Sequence, residues 1–260
     1  MTFVTDSYAD IIKSLAILFE VTETGIEKLI KENPDSLKKK FDTVCKRIEK
    51  VSFYHLTRRL DGDEDSYDGR NLVEVLTGDT ALKKYLQNRG LSFVYKNGII
   101  HVFKEGEEIE LIEDLSDGFL NIPYLKGRLG VQEDIKDFCI NGFLFGDNLK
   151  NNIYYRPLSM GPEILFQLAH LVKDLEIYYE FCKLSTYYIF KYEIPIQEVI
   201  FDDFGKLNNE EKQLLVLRES IKRIAEYDDR KIVDDNVVLR MPDYEKIPEQ
   251  YFVSKTICGE

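Results

Sequence analysis

The sequence predicts an α+β protein with a mainly antiparallel, split β-sheet and flanking helices. Three observations predict this class: helical patterns at both ends of the chain, two β-rich runs joined by Asn97 and Gly98, and a β-prone run over residues 185–203. We expect one domain, because 260 residues with 44% hydrophobic content can bury one sizeable core.

Three segments follow one another along the chain. An N-terminal helical segment occupies residues 1–50, with helices expected over 5–19, 23–32 and 35–50. The α+β core spans residues 51–204. Residues 205–260 form a C-terminal helix and an extended tail, both packed on the core, and this helix carries acids in its first turn and bases later, as the helix dipole favours.

The core begins with a strand over residues 51–57, followed by a short helix and an antiparallel meander whose third strand is EEIELI. Another strand is expected near residues 152–156. Gly161 and Pro162 then suit the N-cap and the first residue of a long helix. Apolar residues recur at three- and four-residue spacing in this helix, which predicts that one face is buried.

Composition and motifs exclude several classes of protein. No run of 18 apolar residues predicts a membrane span, and the N-terminus has no signal-peptide pattern, so we expect a cytoplasmic protein. Four separated cysteines without a Cys-x-x-Cys pair indicate reduced thiols rather than a zinc site. The net charge of −12 opposes non-specific binding to nucleic acid. The motifs of serine hydrolases, HExxH metalloproteases, P-loop proteins and Rossmann proteins are missing.

The acidic run DGDEDSYDG, which starts at Asp61, does not meet the requirements of a calcium loop. Its sixth position is Ser66 rather than glycine, and its twelfth position is Leu72 rather than glutamate. We therefore expect no metal site there. The preceding stretch, residues 35–60, holds eight lysines and arginines against three acids, so a basic patch is an alternative to an ordinary solvated helix face.

The run VSFYHLTRRL, residues 51–60, places polar residues at the end of an apolar strand. His55 and Thr57 share one face because side chains alternate along a strand, and Arg58 and Arg59 follow. This strand end, with the NLVEVLT run, the helix and the GLSF run after it, resembles the first motif of ADP-ribosyltransferases of the His-Tyr-Glu type. NIYYRPLSMGPEIL is similar to the central strand of that family and its following helix, and YYIFKYEIPIQEVIF to its glutamate-bearing late strand. The resemblance spans roughly residues 51–204.

The resemblance implies an enzyme that uses NAD as a substrate and transfers ADP-ribose to a macromolecular acceptor, either a protein or a nucleic acid. By analogy, the role would be that of a toxin or a bacterial defence enzyme, with an inhibitor or regulatory protein as a further partner. The implied NAD-binding residues are His55 and Thr57 at the ribose, Tyr154 or Tyr155 at the nicotinamide, and Arg58, Arg59 or Arg156 at the pyrophosphate.

The chain departs from the family pattern at the catalytic glutamate. Glu163, Glu193 and Glu198 all lie outside a Glu-x-Glu or Gln-x-Glu signature. We assign catalysis to Glu193 and Tyr155, because a carboxylate on the late strand would stabilise the positive charge that develops on the ribose. Glu163 most simply complements the N-terminus of its helix. A relative of the fold that only binds a nucleotide stays an alternative.

Each site residue also has a simpler structural interpretation. His55 could be a satisfied core residue, Arg58 and Arg59 could pair with the acidic loop, and the two tyrosines could be ordinary strand aromatics. An alternative function is a non-enzymatic acidic module, because residues 105–117 hold seven acids and no base and would attract a basic partner.

Overall fold

The computed structural model describes residues 1–63, 65–112, 118–226 and 236–258, and it confirms the predicted α+β class. The helices are α1 Tyr8–Phe19, α2 Glu23–Glu32, α3 Pro34–Lys38, α4 Phe41–Val44, α5 Leu72–Thr77, α6 Ala81–Gln87, α7 Ile122–Arg128, α8 Tyr155–Met160, α9 Glu163–Leu171, α10 Glu176–Leu184 and α11 Asn209–Ala225. The strands are β1 Thr2–Phe3, β2 Lys50–Leu60, β3 Leu91–Lys96, β4 Ile99–Lys104, β5 Glu107–Glu108, β6 Asn141–Phe143, β7 Ser185–Pro195, β8 Ile200–Phe201, β9 Val238–Arg240 and β10 Phe252–Ile257.

The strands form two sheets, as the split arrangement predicts. The larger sheet has the order β10–β7–β2–β6–β9–β8, and β1 pairs parallel with β2. Its other strand pairs are antiparallel. β3, β4 and β5 form a separate antiparallel sheet. No helix in the part of the chain that the structure describes is long and apolar enough to cross a membrane.

β2 and β7 form the central pair of the larger sheet. Residues 50–60 pair with residues 195–185 in one unbroken register. One face of this pair, which carries Phe53 opposite Tyr192, packs against α1, α2 and α11 in a core that extends to the N-terminus. The other face packs against Phe143 and Tyr155. A further core lies between the smaller sheet and α5, α6, α7, α9 and α10.

The larger sheet opens along the second half of β2. β6 meets β2 at a single pair, Tyr54 with Phe143, and then pairs with β9. Among the residues that the structure describes, residues 55–60 of β2 have a strand partner only on the β7 side. This open side of β2 forms one wall of the cavity described below.

Several predicted elements are confirmed. β3 and β4 form the hairpin, and Asn97 and Gly98 have φ angles of 54° and 81°, as a type I′ turn requires. The C-terminal helix is α11, which begins with a capping box between Asn208 and Glu211. The third strand of the meander is shorter than predicted, because β5 contains only Glu107–Glu108.

The strand predicted near residues 152–156 is wrong, because α8 begins at Tyr155. The side-chain oxygen of Asn152 accepts the backbone N–H of Tyr154 at 2.9 Å, and its carbonyl accepts that of Tyr155 at 3.0 Å. These local hydrogen bonds form a turn that starts a helix, and they outweigh the β preference of the tyrosines.

Two predicted helices are interrupted. The helix predicted from Pro162 ends at Leu171, where Lys173 adopts a left-handed φ of 55° before α10 begins. The helix predicted over residues 35–50 is divided into α3, α4 and a 3-10 turn at Cys45–Arg47. Each of these short pieces places one buried residue in the N-terminal core: Leu37, Phe41 and Cys45.

Gly142 allows β6 to approach β2, because the Phe53 ring occupies the space where a Cβ of residue 142 would lie. A Cβ at this position would overlap the ring. We expect Gly142→Ala to lower the free energy of unfolding by about 1–3 kcal/mol, as overpacking does. Gly118→Ala is the matched control, because no atom of residues 1–63, 65–112, 118–226 or 236–258 outside its immediate neighbours lies within 4 Å of its Cβ position, and it should change stability by less than about 0.5 kcal/mol. Urea unfolding measures both variants, and equal stability would contradict the packing at Phe53.

Candidate functional site

A cavity of about 560 Å³ lies where the larger sheet opens, and we call it the β2 cavity. Its walls are the second half of β2, the segment that leads into β6, and parts of α5, α7 and α9. The volume is within the range of about 300–1,000 Å³ that is usual for small-molecule sites. Its exposed or half-buried polar residues include His55, Thr57, Arg128, Asn141, Tyr154 and Glu163.

His55 borders the β2 cavity and is held in one tautomer. Its Nδ1 lies 2.7 Å from the backbone oxygen of Asn141. Because a carbonyl oxygen only accepts, Nδ1 carries the proton. Burial lowers the pKa of His55 to about 4, against the raising effect of that hydrogen bond. At neutral pH the ring is therefore uncharged, and its Nε2, which has no hydrogen-bond partner in the described parts of the chain, is an acceptor.

Arg58 borders the β2 cavity, but its guanidinium already donates four hydrogen bonds within the protein. Nε donates to the Ser185 hydroxyl at 2.9 Å, and Nη2 donates to the carbonyls of Cys182 at 2.8 Å and Ser185 at 2.7 Å. Nη1 donates to the Ser159 carbonyl. Arg58 therefore joins β2 to α8 and α10, and this corrects its assignment to a pyrophosphate.

Arg59 also has a structural role. Its side chain is 7% exposed and lies over the Phe190 ring, 5.2 Å from the centroid. Nη2 donates to the Asp68 carbonyl at 3.1 Å, and Nη1 is 3.7 Å from the Asp63 carboxylate. The alternative in which Arg59 pairs with the acidic loop is therefore the correct one, and Arg59 is not free to bind a pyrophosphate.

The structure separates the three site residues that were predicted on the strand near residues 152–156. Tyr154 is 51% exposed and borders the β2 cavity. Tyr155 is buried against Tyr187, with 5.3 Å between the ring centroids, and it does not border the cavity. Arg156 is exposed outside the cavity. The catalytic assignment of Tyr155 and the pyrophosphate assignment of Arg156 are therefore corrected.

Glu193 also lies away from the β2 cavity. It stands opposite Ser52 on β2, whereas His55 stands three residues further along and therefore on the other face of the sheet. Its carboxylate accepts a hydrogen bond from Thr2 at 3.3 Å. This corrects the expectation that Glu193 and His55 face one cleft. Glu163, at the start of α9, borders the cavity with His55, as do Asp63, Asp137, Asp202 and Asp203. Asp63, Asp137 and Asp202 each form an ion pair with an arginine.

The sequence interpretation missed the cavity wall formed by α7 and the segment before β6. Asp137, Cys139 and Asn141 occur at alternate positions and all border the β2 cavity. Arg128 pairs with Asp137 at 2.6 Å, and its buried Nε has no hydrogen-bond partner among the residues that the structure describes. The alternation in DFCIN is the sequence signal that could have indicated this wall.

Asp137, Cys139 and Asp243 have donor atoms within 4.8 Å of one another, a spacing that could hold a metal ion. Burial and the Asp137 carboxylate raise the pKa of the Cys139 thiol to about 12, so it stays protonated at neutral pH. Arg128 already neutralises Asp137. Arg128, Asp137 and Cys139 thus form an ion pair and a hydrogen bond along this wall.

Comparisons with models of protein families, with curated proteins and with solved structures gave no match. The function of the β2 cavity is therefore argued from its own residues.

Burial of His55 should make stability depend on pH. Its pKa is about 4 in the folded protein and ordinarily 6.5, so the unfolded chain takes up the proton first. The stability that the neutral His55 ring contributes to the fold is therefore complete above pH 6.5 and is lost as the pH falls towards 4. Between about pH 7 and pH 4.5, we expect the free energy of unfolding of the wild type to fall by about 1–3 kcal/mol more than that of His55→Asn. The asparagine can still donate a hydrogen bond to the Asn141 carbonyl. Urea unfolding at both pH values tests this, and equal losses would contradict it.

Proposed function

We propose that the protein is an ADP-ribosyltransferase that binds NAD as its substrate in the β2 cavity and transfers ADP-ribose to a macromolecular acceptor. The observation that carries this proposal is the presence of His55, Thr57 and the carboxylate of Glu163 in one cavity of suitable volume. The type of reaction is inferred from the resemblance of the β2 strand end to the first motif of ADP-ribosyltransferases. The cavity residues offer the groups that this reaction requires.

His55 and Thr57 suit the ribose of the substrate. Nε2 of the neutral His55 ring can accept a hydrogen bond from a ribose hydroxyl. The Thr57 hydroxyl, on the same strand face, can donate or accept. Exposed Tyr154 offers an aromatic surface to a base at the cavity wall. We propose Arg128 as the cation for the phosphates, because it borders the cavity, where it pairs with Asp137. Arg58 is held by three carbonyls and a hydroxyl, Arg59 by the acidic loop, and Arg156 lies outside the cavity.

Glu163 is the carboxylate that we propose for the chemistry. The bond between C1′ of the ribose and the nicotinamide nitrogen breaks, and neutral nicotinamide leaves with the bonding electrons. A carboxylate near C1′ stabilises the positive charge left on the ribose. The acceptor atom then forms the new bond to C1′ and releases its proton to solvent.

The biological part of the proposal is a toxin-like or defence role in the cytoplasm, with a protein or a nucleic acid as the acceptor. Four free cysteines suit a reducing compartment. An inhibitor or regulatory protein is the further partner that such a role would require.

Nicotinamide release and label transfer from NAD to proteins of a cell lysate test the proposal. We expect Glu163→Gln to lower both rates by about 100-fold or more, because it removes the charge beside the ribose. Glu193→Gln is the matched control, since Glu193 lies outside the cavity, and it should stay within about twofold of the wild type. Loss of activity in Glu193→Gln alone, or absence of both label transfer and NAD binding by calorimetry, would contradict the proposal.

The second candidate function is the acidic interaction module. Glu105, Glu107, Glu108 and Glu110 are all exposed around β5, which favours contact with a basic partner. Residues 113–117 of this stretch lie outside the described residues. A basic partner that is captured in a salt-sensitive manner, and equally well by the His55→Ala variant, would favour this function over NAD chemistry.

A further inference from the structure

Tyr124 on α7 and Glu163 on α9 both border the β2 cavity, and hydrogen bonds of Gln167 fasten these two helices together. Oε1 of Gln167 accepts the backbone N–H of Asn121 at 2.7 Å, and its Nε2 donates to the carbonyl of Phe119 at 3.1 Å. Asn121 caps α7, and its Oδ1 accepts the N–H of Tyr124 at 3.0 Å. Glu163 lies one turn before Gln167 on the same face of α9, so these contacts bring the first turns of both helices together.

The charge of Glu163 acts on the Tyr124 side chain. Burial raises the pKa of the Tyr124 hydroxyl, the cation of Arg128 opposes this, and the carboxylates of Glu163 and Asp137 raise the pKa further. Arg128 pairs with Asp137 at 2.6 Å, so these two charges largely cancel. Glu163, by contrast, forms no ion pair with any residue that the structure describes. It is therefore the carboxylate of this group that lacks a cation.

The ring of Tyr124 is half-buried at the cavity wall, and its faces have no such partner either. Within residues 1–63, 65–112, 118–226 and 236–258, it forms no contact with another aromatic ring and no cation–π contact. The face of a phenol ring carries a negative potential and attracts cations. This wall therefore presents an aromatic ring and a carboxylate, and both attract positive charge.

We infer that Tyr124 and Glu163 form a binding site for an organic cation without N–H groups, such as a quaternary ammonium. Other parts of the cavity wall are apolar and include Leu165 and Leu168 of α9. A weakly hydrated cation enters such surroundings at a lower cost than a primary ammonium, whose three N–H groups each require an acceptor. The inference goes beyond the proposed function, because it uses the same carboxylate but does not require NAD.

Calorimetry with choline and 3,3-dimethylbutan-1-ol at low ionic strength tests the inference, because the two molecules have nearly the same shape and only choline is charged. We expect the wild type to bind choline at least about fivefold more tightly than the alcohol. Glu163→Gln should reduce this preference to about twofold or less. Glu176→Gln is the matched control, because Glu176 is exposed at the start of α10 and outside the cavity, and it should keep the preference. No binding of choline, equal binding of both probes, or an unchanged preference in Glu163→Gln would overturn the inference.

Two variants of Tyr124 test the contribution of the ring. Tyr124→Phe keeps the ring face and should bind choline within about twofold of the wild type. Tyr124→Leu removes the ring and should bind choline at least about threefold more weakly. The matched control is Tyr179→Leu, because Tyr179 is 50% exposed and lies outside the cavity. Wild-type affinity for choline in Tyr124→Leu would overturn the inference.

The failure of the proposed function would be recognised separately. Choline contains neither a ribose nor a nicotinamide, so its binding measures the site without the transfer reaction. If NAD is neither bound nor consumed, but the preference for choline depends on Glu163, the proposed function is contradicted and the inference is supported. Consumption of NAD by a wild type that does not distinguish the two probes would overturn the inference alone.

Discussion

The antiparallel pairing of β2 with β7 is the constraint on which the rest of the structure depends. The register continues over all of residues 50–60, so it decides which β2 side chains enter the N-terminal core and which enter the opposite core. β6 stays with β2 for only one pair. β2 is therefore fully paired with β7 along one edge and almost unpaired along the other edge. The space beside this unpaired edge is the β2 cavity.

The hydrogen bond between His55 and Asn141 connects two walls of this cavity. It fixes the imidazole tautomer, while burial keeps the ring neutral by lowering its pKa. The arginines of the strand end hold the fold together instead of facing a ligand: Arg58 binds carbonyls of α8 and α10, and Arg59 binds the acidic loop. The cavity therefore offers the Nε2 acceptor of His55, the Glu163 carboxylate beside several aspartates, and the guanidinium of Arg128.

Local patterns predicted the elements whose signals lie close together in the chain. The hairpin at Asn97 and Gly98 and the long β7 strand follow from turn chemistry and β propensity, and the alternation on β2 correctly placed His55 and Thr57 on one face. The strand near residue 154 failed because the Asn152 side chain forms a competing turn. A propensity scale has no term for such a contact.

Local sequence patterns could not show which residues form the site, because the site brings together segments that are far apart in the chain. The sequence favoured Glu193 over Glu163 for catalysis, and only the strand register shows that Glu193 is on the face opposite to His55. Arg128 and Cys139 lie on α7 and on the segment before β6, far from β2 in the chain, so their proximity to His55 follows from tertiary packing. The binding of Arg58 to backbone carbonyls is a tertiary property as well.

The most direct test of the central claim is a titration of the protein with NAD, followed through the imidazole nitrogen signals of its three histidines. His101 binds Glu108 in the smaller sheet, and the ring of His170 stacks on Phe119, so both are internal references outside the cavity. We predict that the Nε2 signal of His55 shifts on saturation with NAD while the signals of His101 and His170 stay unchanged. An unchanged His55 signal at saturating NAD, or a shift confined to the other two histidines, would contradict the assignment of the β2 cavity as the NAD site.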